Sequence, residues 1–251
     1  MNVKIMVAAH KNYQMPDDTT MYLPIFVGKS LHPDVNHTFQ GDNTGDNISD
    51  KNGSYNELTA LYWGWKNLDA DYVGLVHYRR YFSLKYGKKI ENILSAQEVK
   101  TILSKYDVIL PKKRNYYIET NYSHYVHAHP KEELDVTRTV LENKYPDYLS
   151  FYDDTMKRRS AHLFNMFVMK KELFDAYCTW LFDILNEVEE RLDISGYDRY
   201  QSRVFGFISE RLLDVWIEKN QIKFYETHVL YTESQHWPKK IFEFIKRKFN
   251  N

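Results

Sequence analysis

The chain has 251 residues, with 34 basic and 34 acidic side chains and a formal net charge of zero. That length allows one large domain with a real core, and the charge balance argues against a general nucleic-acid-binding surface, though not against local patches. The single cysteine, Cys178, excludes an internal disulfide and fits a reducing compartment.

The first predicted element is a buried strand, VKIMVAA (3–9). The apolar run there is short and no cleavage-like pattern follows, so no signal peptide is expected. No stretch of about 18 apolar residues exists to span a bilayer. The expected location is the cytoplasm, with contact at the inner face of the plasma membrane. Residues 10–54 read as a long irregular segment with Pro16, Pro24, Pro33 and the polar run GDNTGDNISDKNGS. Such a loop in a compact domain is usually functional or ordered by a ligand. Ser54 followed by Glu57 is a capping-box pattern, predicting a helix from near Tyr55 to near Asn67. Leu58, Leu61, Tyr62 and Trp65 fall on one face of it.

A strand follows at Tyr72–Val76, then a helix over 95–106 with a second capping box, Ser95 and Glu98, and an apolar face of Val99, Ile102 and Leu103. DVILP (107–111) is another buried strand. This alternation predicts an α/β domain with a mainly parallel central sheet flanked by helices. The second half is more helical. Helices are expected over 130–144, 171–192 (with Cys178 a packed thiol) and 200–220, and strands over 162–170 and 222–231. One domain, 1–235, is the expected organisation, followed by a basic amphipathic helix over 236–251. In that helix Ile241, Phe242, Ile245 and Phe249 form a stripe crowded by Lys239, Lys240, Lys246, Arg247 and Lys248. It suits an anionic membrane surface or docking on the domain.

The stretch DYVGLVHYRRYF (71–82) ends an apolar strand in a cationic, aromatic cluster. Ligands of parallel α/β sheets bind beyond the C-terminal strand ends. Strand alternation places His77 and Arg79 on one side, Tyr78 and Arg80 on the other. Two guanidiniums can grip a diphosphate, or they can pair with acidic neighbours. In GDNTGDNISDKN (41–52), Asp42, Asp46, Asn47, Ser49, Lys51 and Asn52 precede a helix. They can hold ribose or phosphate, or form a solvated array of turns. His124, His127 and His129 invite a metal reading, an acceptor-binding or acid–base reading, or a surface role; on a strand, His127 and His129 would share a face. Asn165 is the polar exception in an apolar run, so it serves a ligand or ties a loop. Arg203, Gly206 and Glu210 share a helical face. Glu210 is the candidate general base, with an intrahelical ion pair as its alternative and Asp198 or a histidine as rivals.

The blocks NISDKNGSYNELTALYWGWKN, DYVGLVHYRRYF, NMFVMKK, YCTWLFDIL and RVFGFISERLLDVWI resemble a family from bacterial capsule and exopolysaccharide gene clusters. That family was long described as a domain of unknown function. It is associated with GT-A-like glycosyltransferases, including galactosyl and galactofuranosyl transferases. The resemblance runs from about residue 3 to residue 230. It implies a GT-A-like fold and a UDP-sugar donor. It also implies nucleoside or phosphate contacts from His10 and Lys11 after the first strand, with Asp46, Asn47, Ser49, Lys51, Asn52, Arg79 and Arg80 as further donor contacts. Acceptor contacts are expected from His127, His129, Asn165 and Arg203. Most GT-A enzymes hold a divalent metal on an Asp-x-Asp after a central strand. Here Asp69-Ala70-Asp71 precedes the strand, and His77, Arg79 and Arg80 occupy the expected place. The implied reaction is a hexosyl transfer to a lipid-linked or oligosaccharide acceptor, inverting with retention as its alternative, with His77 and Arg79 catalytic and no metal required, a metal held by His77 with a remote carboxylate being the alternative. The alternatives are a non-catalytic carbohydrate-binding or assembly protein, and a metal hydrolase working through the histidines.

Overall fold

A computed structural model describes residues 1–233; the helix expected over 236–251 lies outside the described residues. The chain runs through β1 (Val3–Ala9), β2 (Tyr22–Phe26), β3 (Gln40–Gly41), α1 (Asn52–Tyr55), α2 (Leu58–Asn67), β4 (Tyr72–His77), β5 (Arg80–Ser83), α3 (Ala96–Leu103), β6 (Val108–Pro111) and β7 (Arg114–Asn115). It continues with α4 (Asn121–Val126), α5 (Glu132–Lys144), α6 (Leu149–Lys157), β8 (Ser160–Ala161), β9 (Phe167–Lys170), α7 (Lys171–Arg191), α8 (Val204–Lys219) and β10 (Phe224–Tyr231).

Eight strands form one sheet in the order β3-β2-β1-β4-β5-β10-β6-β9, and β9 pairs back onto β4. The sheet is mixed, not mainly parallel. β1–β2, β1–β4, β2–β3 and β6–β10 are parallel, whereas β4–β5, β4–β9, β5–β10 and β6–β9 are antiparallel. The reason is that β9 enters beside β4 in the opposite sense and feeds directly into α7. Its close seat depends on Gly74, where an added Cβ would lie 2.7 Å from the Phe167 carbonyl oxygen.

Side-chain alternation sorts β1 and β4 onto two cores. Met6, Ala8, Val73 and Leu75 face the layer built from α1, α2 and α5–α8; Ile5, Val7, Tyr72 and Val76 face α3 and β5. Both faces of the central strands are covered, which is why they read as continuous apolar runs. Truncating a fully buried leucine such as Leu75 to alanine would cost about 2–5 kcal/mol. Cys178 is buried in the larger core, and burial pushes its thiol well up, as expected of a packed residue. Among the described residues no helix is long and apolar enough to cross a membrane.

Three expectations about local structure are revised. The irregular segment 10–54 contains β2, a five-residue strand with Pro24 inside it. Proline is tolerated because β3 covers only Ile25 and Phe26 on that side. The helix expected from Tyr55 is broken: Asn56 takes φ 52° and separates α1 from α2. The strand expected over 162–170 is confined to 167–170, because Phe164 and Asn165 adopt φ 75° and 51°.

Candidate active site

The motif HYRRYF is a β-hairpin, not one continuous strand. β4 ends at His77, β5 starts at Arg80, and these two residues are cross-strand partners. The alternation expected from an extended strand is therefore revised: His77 sits with Arg80, while Tyr78 and Arg79 form the turn. His77 continues the face of Val73 and Leu75, toward the helical layer. Its Nε2 donates to the Phe164 carbonyl at 2.6 Å. Burial is the largest influence on the ring and holds its pKa below the usual histidine range, opposed by Glu57 and reinforced by Arg80. His77 is thus a neutral, oriented imidazole near pH 7, and the positive charge of the hairpin falls on its arginines.

The turn after β8 completes the cluster. Two successive left-handed residues, Phe164 and Asn165, reverse the chain before β9; for phenylalanine that conformation costs about 1–3 kcal/mol. The reversal aims every group of Phe164 at the site. Its carbonyl meets His77, its N–H lies near enough to the Glu210 carboxylate to favour the charged form, and the Arg80 guanidinium lies 4.4 Å from its ring centre. Asn165 is 1% exposed. Its Nδ2 donates to Glu57 Oε1 at 2.8 Å and to the Gly206 carbonyl at 3.1 Å, and its Oδ1 accepts from Ser209 Oγ at 2.6 Å. This amide ties the turn to both α2 and α8.

Two carboxylates converge here. Glu57 sits at the N-cap of α2, and Glu210 lies on the second turn of α8. Burial, opposed by Arg211 and reinforced by Glu57, holds the Glu210 pKa above the usual carboxylate range. Arg80 stands within electrostatic reach of both acids, and its buried Nε has no hydrogen-bond partner among the described residues. A carboxylate with a raised pKa beside an oriented cation is a typical acid–base arrangement.

On the other face of the sheet, Tyr78 stacks on Tyr13 with ring centres 3.8 Å apart and planes 21° apart. Lys11 Nζ lies 4.8 Å from the Tyr13 ring and the Arg79 guanidinium 4.8 Å from the Tyr78 ring, so a cation closes each end of the stack. His10 meets Tyr78 edge-on at 5.2 Å. Burial, with Lys11 and Arg79, keeps its pKa low. Arg79 also pairs with Glu233 at 3.1 Å. Beside this stack opens a cavity of about 760 Å³ whose walls include Tyr13, Tyr78, Lys88, Lys89, Asn92 and Glu233. His10, Lys11 and Arg79 gather at the Tyr13–Tyr78 stack, while His77, Arg80, Asn165 and Glu210 gather at the carboxylate pair.

The 41–52 segment is held by its own bonds. Asp42, fully buried, accepts from the Gly28 and Lys29 N–H groups at 2.8 and 3.0 Å, from Thr59 Oγ1 at 2.5 Å, and from the Ser49 hydroxyl. Asp46 accepts from Tyr62, Asn47 bonds Gly45 and Ser49, Lys51 pairs with Glu189 at 2.6 Å, and Asn52 bonds the Asn56 carbonyl. The three histidines lie on and after a helix, α4, rather than a strand. His124 and His127 contact different oxygens of Glu119, at 2.8 and 2.7 Å, and His129 contacts Gln201. Among the described residues no group of three or more His, Cys, Asp or Glu could hold a metal ion. Arg203 is exposed and donates to Asn56 at 2.9 Å. Asp71 accepts from the Asn2 N–H at 2.6 Å, at the start of β4 and the opposite end from His77. The residues at the strand end, two arginines and a neutral histidine, do not fit a metal-binding acid pair.

Glu57 is the site residue that sequence reasoning missed as chemistry. Its Ser-x-x-Glu context assigned it to a cap, and the signal against that assignment was Asn56, a residue tolerant of left-handed backbone.

A search of curated proteins returned no match. Among solved structures, the chain is similar to the apo structure of WbbM, a bifunctional glycosyltransferase, at 31% identity and a TM-score of 0.83. The similarity covers 93% of this chain and 46% of that one, so the chain spans about half of the protein it matches. The profile of a family described as a domain of unknown function, DUF4422, matches residues 4–221. Since that match takes in both the Glu57–Glu210 cluster and the hairpin, the chain belongs to the DUF4422 family.

Proposed function

We propose that the chain is a hexosyltransferase that moves galactose or galactofuranose from a UDP-sugar to a lipid-linked or oligosaccharide acceptor in cell-surface polysaccharide synthesis. The work would take place at the inner face of the plasma membrane. The observation that carries this reading is the hairpin turn, which joins an aromatic, cationic cavity on one face of the sheet to a half-buried carboxylate pair on the other. The likeness to a bifunctional glycosyltransferase supports it.

The nucleotide's ring lies in the cavity against the edges of Tyr13 and Tyr78, and Lys11, Arg79, Lys88 and Lys89 hold its diphosphate. Arg80 and Arg79 offset the charge that gathers on the leaving diphosphate. His77 holds the Phe164 carbonyl and so fixes the turn. Glu210, with its raised pKa, takes the proton of the acceptor hydroxyl as that oxygen attacks the anomeric carbon. One displacement from the face opposite the diphosphate inverts the anomeric centre. Glu57, held by Asn165, sets the field around Glu210.

In this reading guanidiniums stand where a metal would, and the reaction needs no divalent cation. The test is a screen of nucleotide-sugar donors with nucleotide release measured with and without EDTA. Release from a UDP-hexose that persists in EDTA is the expected result. Strict dependence on added Mn²⁺ would overturn the metal-free mechanism, and the absence of UDP binding by calorimetry would overturn the transferase reading.

A further inference from the structure

The N-terminal end of α8 carries a group of rings that the donor side does not use. His129, Tyr200 and Phe207 form a three-way cluster. His129 and Phe207 centres are 4.2 Å apart, Tyr200 and Phe207 5.3 Å, and His129 and Tyr200 5.6 Å with planes 17° apart. The cluster is not a closed core, because Tyr200 is 52% exposed. Its geometry is nevertheless fixed. His129 Nδ1 donates to Gln201 Oε1 at 2.8 Å, and Gln201 Nε2 donates to the Ala128 carbonyl at 2.8 Å. That bond leaves His129 Nε2 as the ring's acceptor.

The cluster is joined to both carboxylates. Phe207 lies one turn before Glu210 on α8, so their side chains are neighbours on one helical face. The Arg203 guanidinium sits 5.4 Å from the Phe207 ring and donates to Asn56, the residue before Glu57. Phe207 packs on the helical side of the sheet, whereas Tyr13 and Tyr78 pack on the other. The carboxylate pair therefore stands between two aromatic sites.

We infer that His129, Tyr200 and Phe207 form the platform for a saccharide ring of the acceptor, with Arg203 and His129 Nε2 meeting its hydroxyls. A sugar ring presents one apolar C–H face and a rim of hydroxyl groups. Rigid rings, half-buried at His129 and Phe207 and exposed at Tyr200, bordered by a donor and an acceptor match both. A ring seated on Phe207 places its hydroxyl toward Glu210, one helical turn away. The inference rests on the reading of Glu57 and Glu210 as a glycosyl-transfer centre.

The test measures anisotropy of fluorophore-labelled trisaccharides ending in galactose, glucose or mannose, with UDP titrated by calorimetry on the same samples. Wild type, Tyr200→Ala, Tyr200→Phe and Tyr117→Ala are compared; Tyr117 is an exposed tyrosine outside the cluster, at 77% exposure. The expected result is saccharide binding weakened about 2- to 10-fold in Tyr200→Ala. Tyr200→Phe and Tyr117→Ala retain wild-type binding, and UDP affinity is the same in all four. Equal saccharide binding by Tyr200→Ala, an equal loss in Tyr117→Ala, or no saccharide bound by the wild type overturns the platform. If UDP still binds in those cases, the transferase reading stands without it. Loss of UDP binding alone, with the Tyr200 effect intact, leaves a saccharide site and removes the transferase.

Discussion

Replacing Asn165 with alanine removes three bonds at once. The carboxylamide donates to Glu57 and Gly206 and accepts from Ser209, at 2.8, 3.1 and 2.6 Å, from a side chain only 1% exposed. Two neutral bonds are worth about 1 kcal/mol each and the one to a carboxylate about 1.5–3. Glu57 is partly solvated, so the lower figure applies and the bonds sum to about 3.5 kcal/mol. The left-handed backbone, at φ 51°, adds about 1 kcal/mol against alanine. The total is about 4–5 kcal/mol, or a fall in Tm of about 8–20 °C for a chain of this size. Urea unfolding followed by fluorescence of the five tryptophans measures it. Asn165→Gly separates the two contributions, since glycine loses the bonds but accepts the backbone; it should be about 0.5–1 kcal/mol milder than alanine. A loss below about 1 kcal/mol in both variants would refute the reasoning that this amide ties the turn to α2 and α8. A glycine variant less stable than the alanine one would refute the backbone argument.

Glu210→Gln should lower kcat by about 10²–10⁴-fold while raising stability at neutral pH. The sign follows from the raised pKa: the folded state holds the proton more tightly than the unfolded chain, so ionisation disfavours folding once pH passes the unfolded value. A thermal scan at pH 7 showing a lower Tm for the variant would count against this. For the same reason, the acid limb of the kcat profile should sit above the range of an ordinary glutamate, and it should vanish in Glu210→Gln. Arg80→Ala should lower kcat by about 10²–10³-fold, and Arg80→Lys should recover only part, because an ammonium lacks the planar fork and the stacking on Phe164; full activity in Arg80→Ala would remove it from the mechanism. Asp42→Ala should cost about 3–5 kcal/mol, by leaving the Gly28 and Lys29 N–H groups and two hydroxyls without their buried acceptor; a Tm within 2–4 °C of wild type would contradict that.

Periodicity and caps made most elements legible, and the failures have local causes. Ser95 and Glu98 form the reciprocal capping box that their spacing predicts. Ser54 and Glu57 have the same spacing and form none, because Asn56 turns left-handed between them and releases the Glu57 carboxylate to Asn165. A four-residue pattern cannot register that competition, since the winning partner lies more than a hundred residues away. β2 was hidden by Pro24, whose exclusion from strands holds only where a neighbour needs its N–H. The pairing of His77 with Arg80 was hidden because nothing in HYRR marks a turn: neither Gly, Asn nor Pro is present. Asn165 was legible as a buried amide needing partners, and Glu210 as the acid on the Arg203–Gly206 face. Glu57, the aromatic stack and the ring cluster depend on tertiary contacts alone.

The hairpin also accounts for how opposite charges coexist within one site. On the Tyr78 side stand Lys11, Arg79, Lys88 and Lys89 against Glu91 and Glu233, four positive charges to two negative. On the His77 side stand Arg80 and Arg211 against Glu57 and Glu210, two positive to two negative, with His77 neutral. A continuous strand would have set Arg79 beside His77 and mixed these groups. The two-residue turn instead separates them, with Arg80 at the boundary. Under the proposed reaction, charge moves along this axis. The diphosphate gains negative charge as it leaves, and the sugar ring gains oxocarbenium-like positive charge between it and the attacking hydroxyl. A field that falls from a net positive cavity to a charge-balanced carboxylate side favours both changes together. It favours neither the intact donor nor the free acceptor to the same degree, which is the condition for lowering a barrier rather than tightening substrate binding.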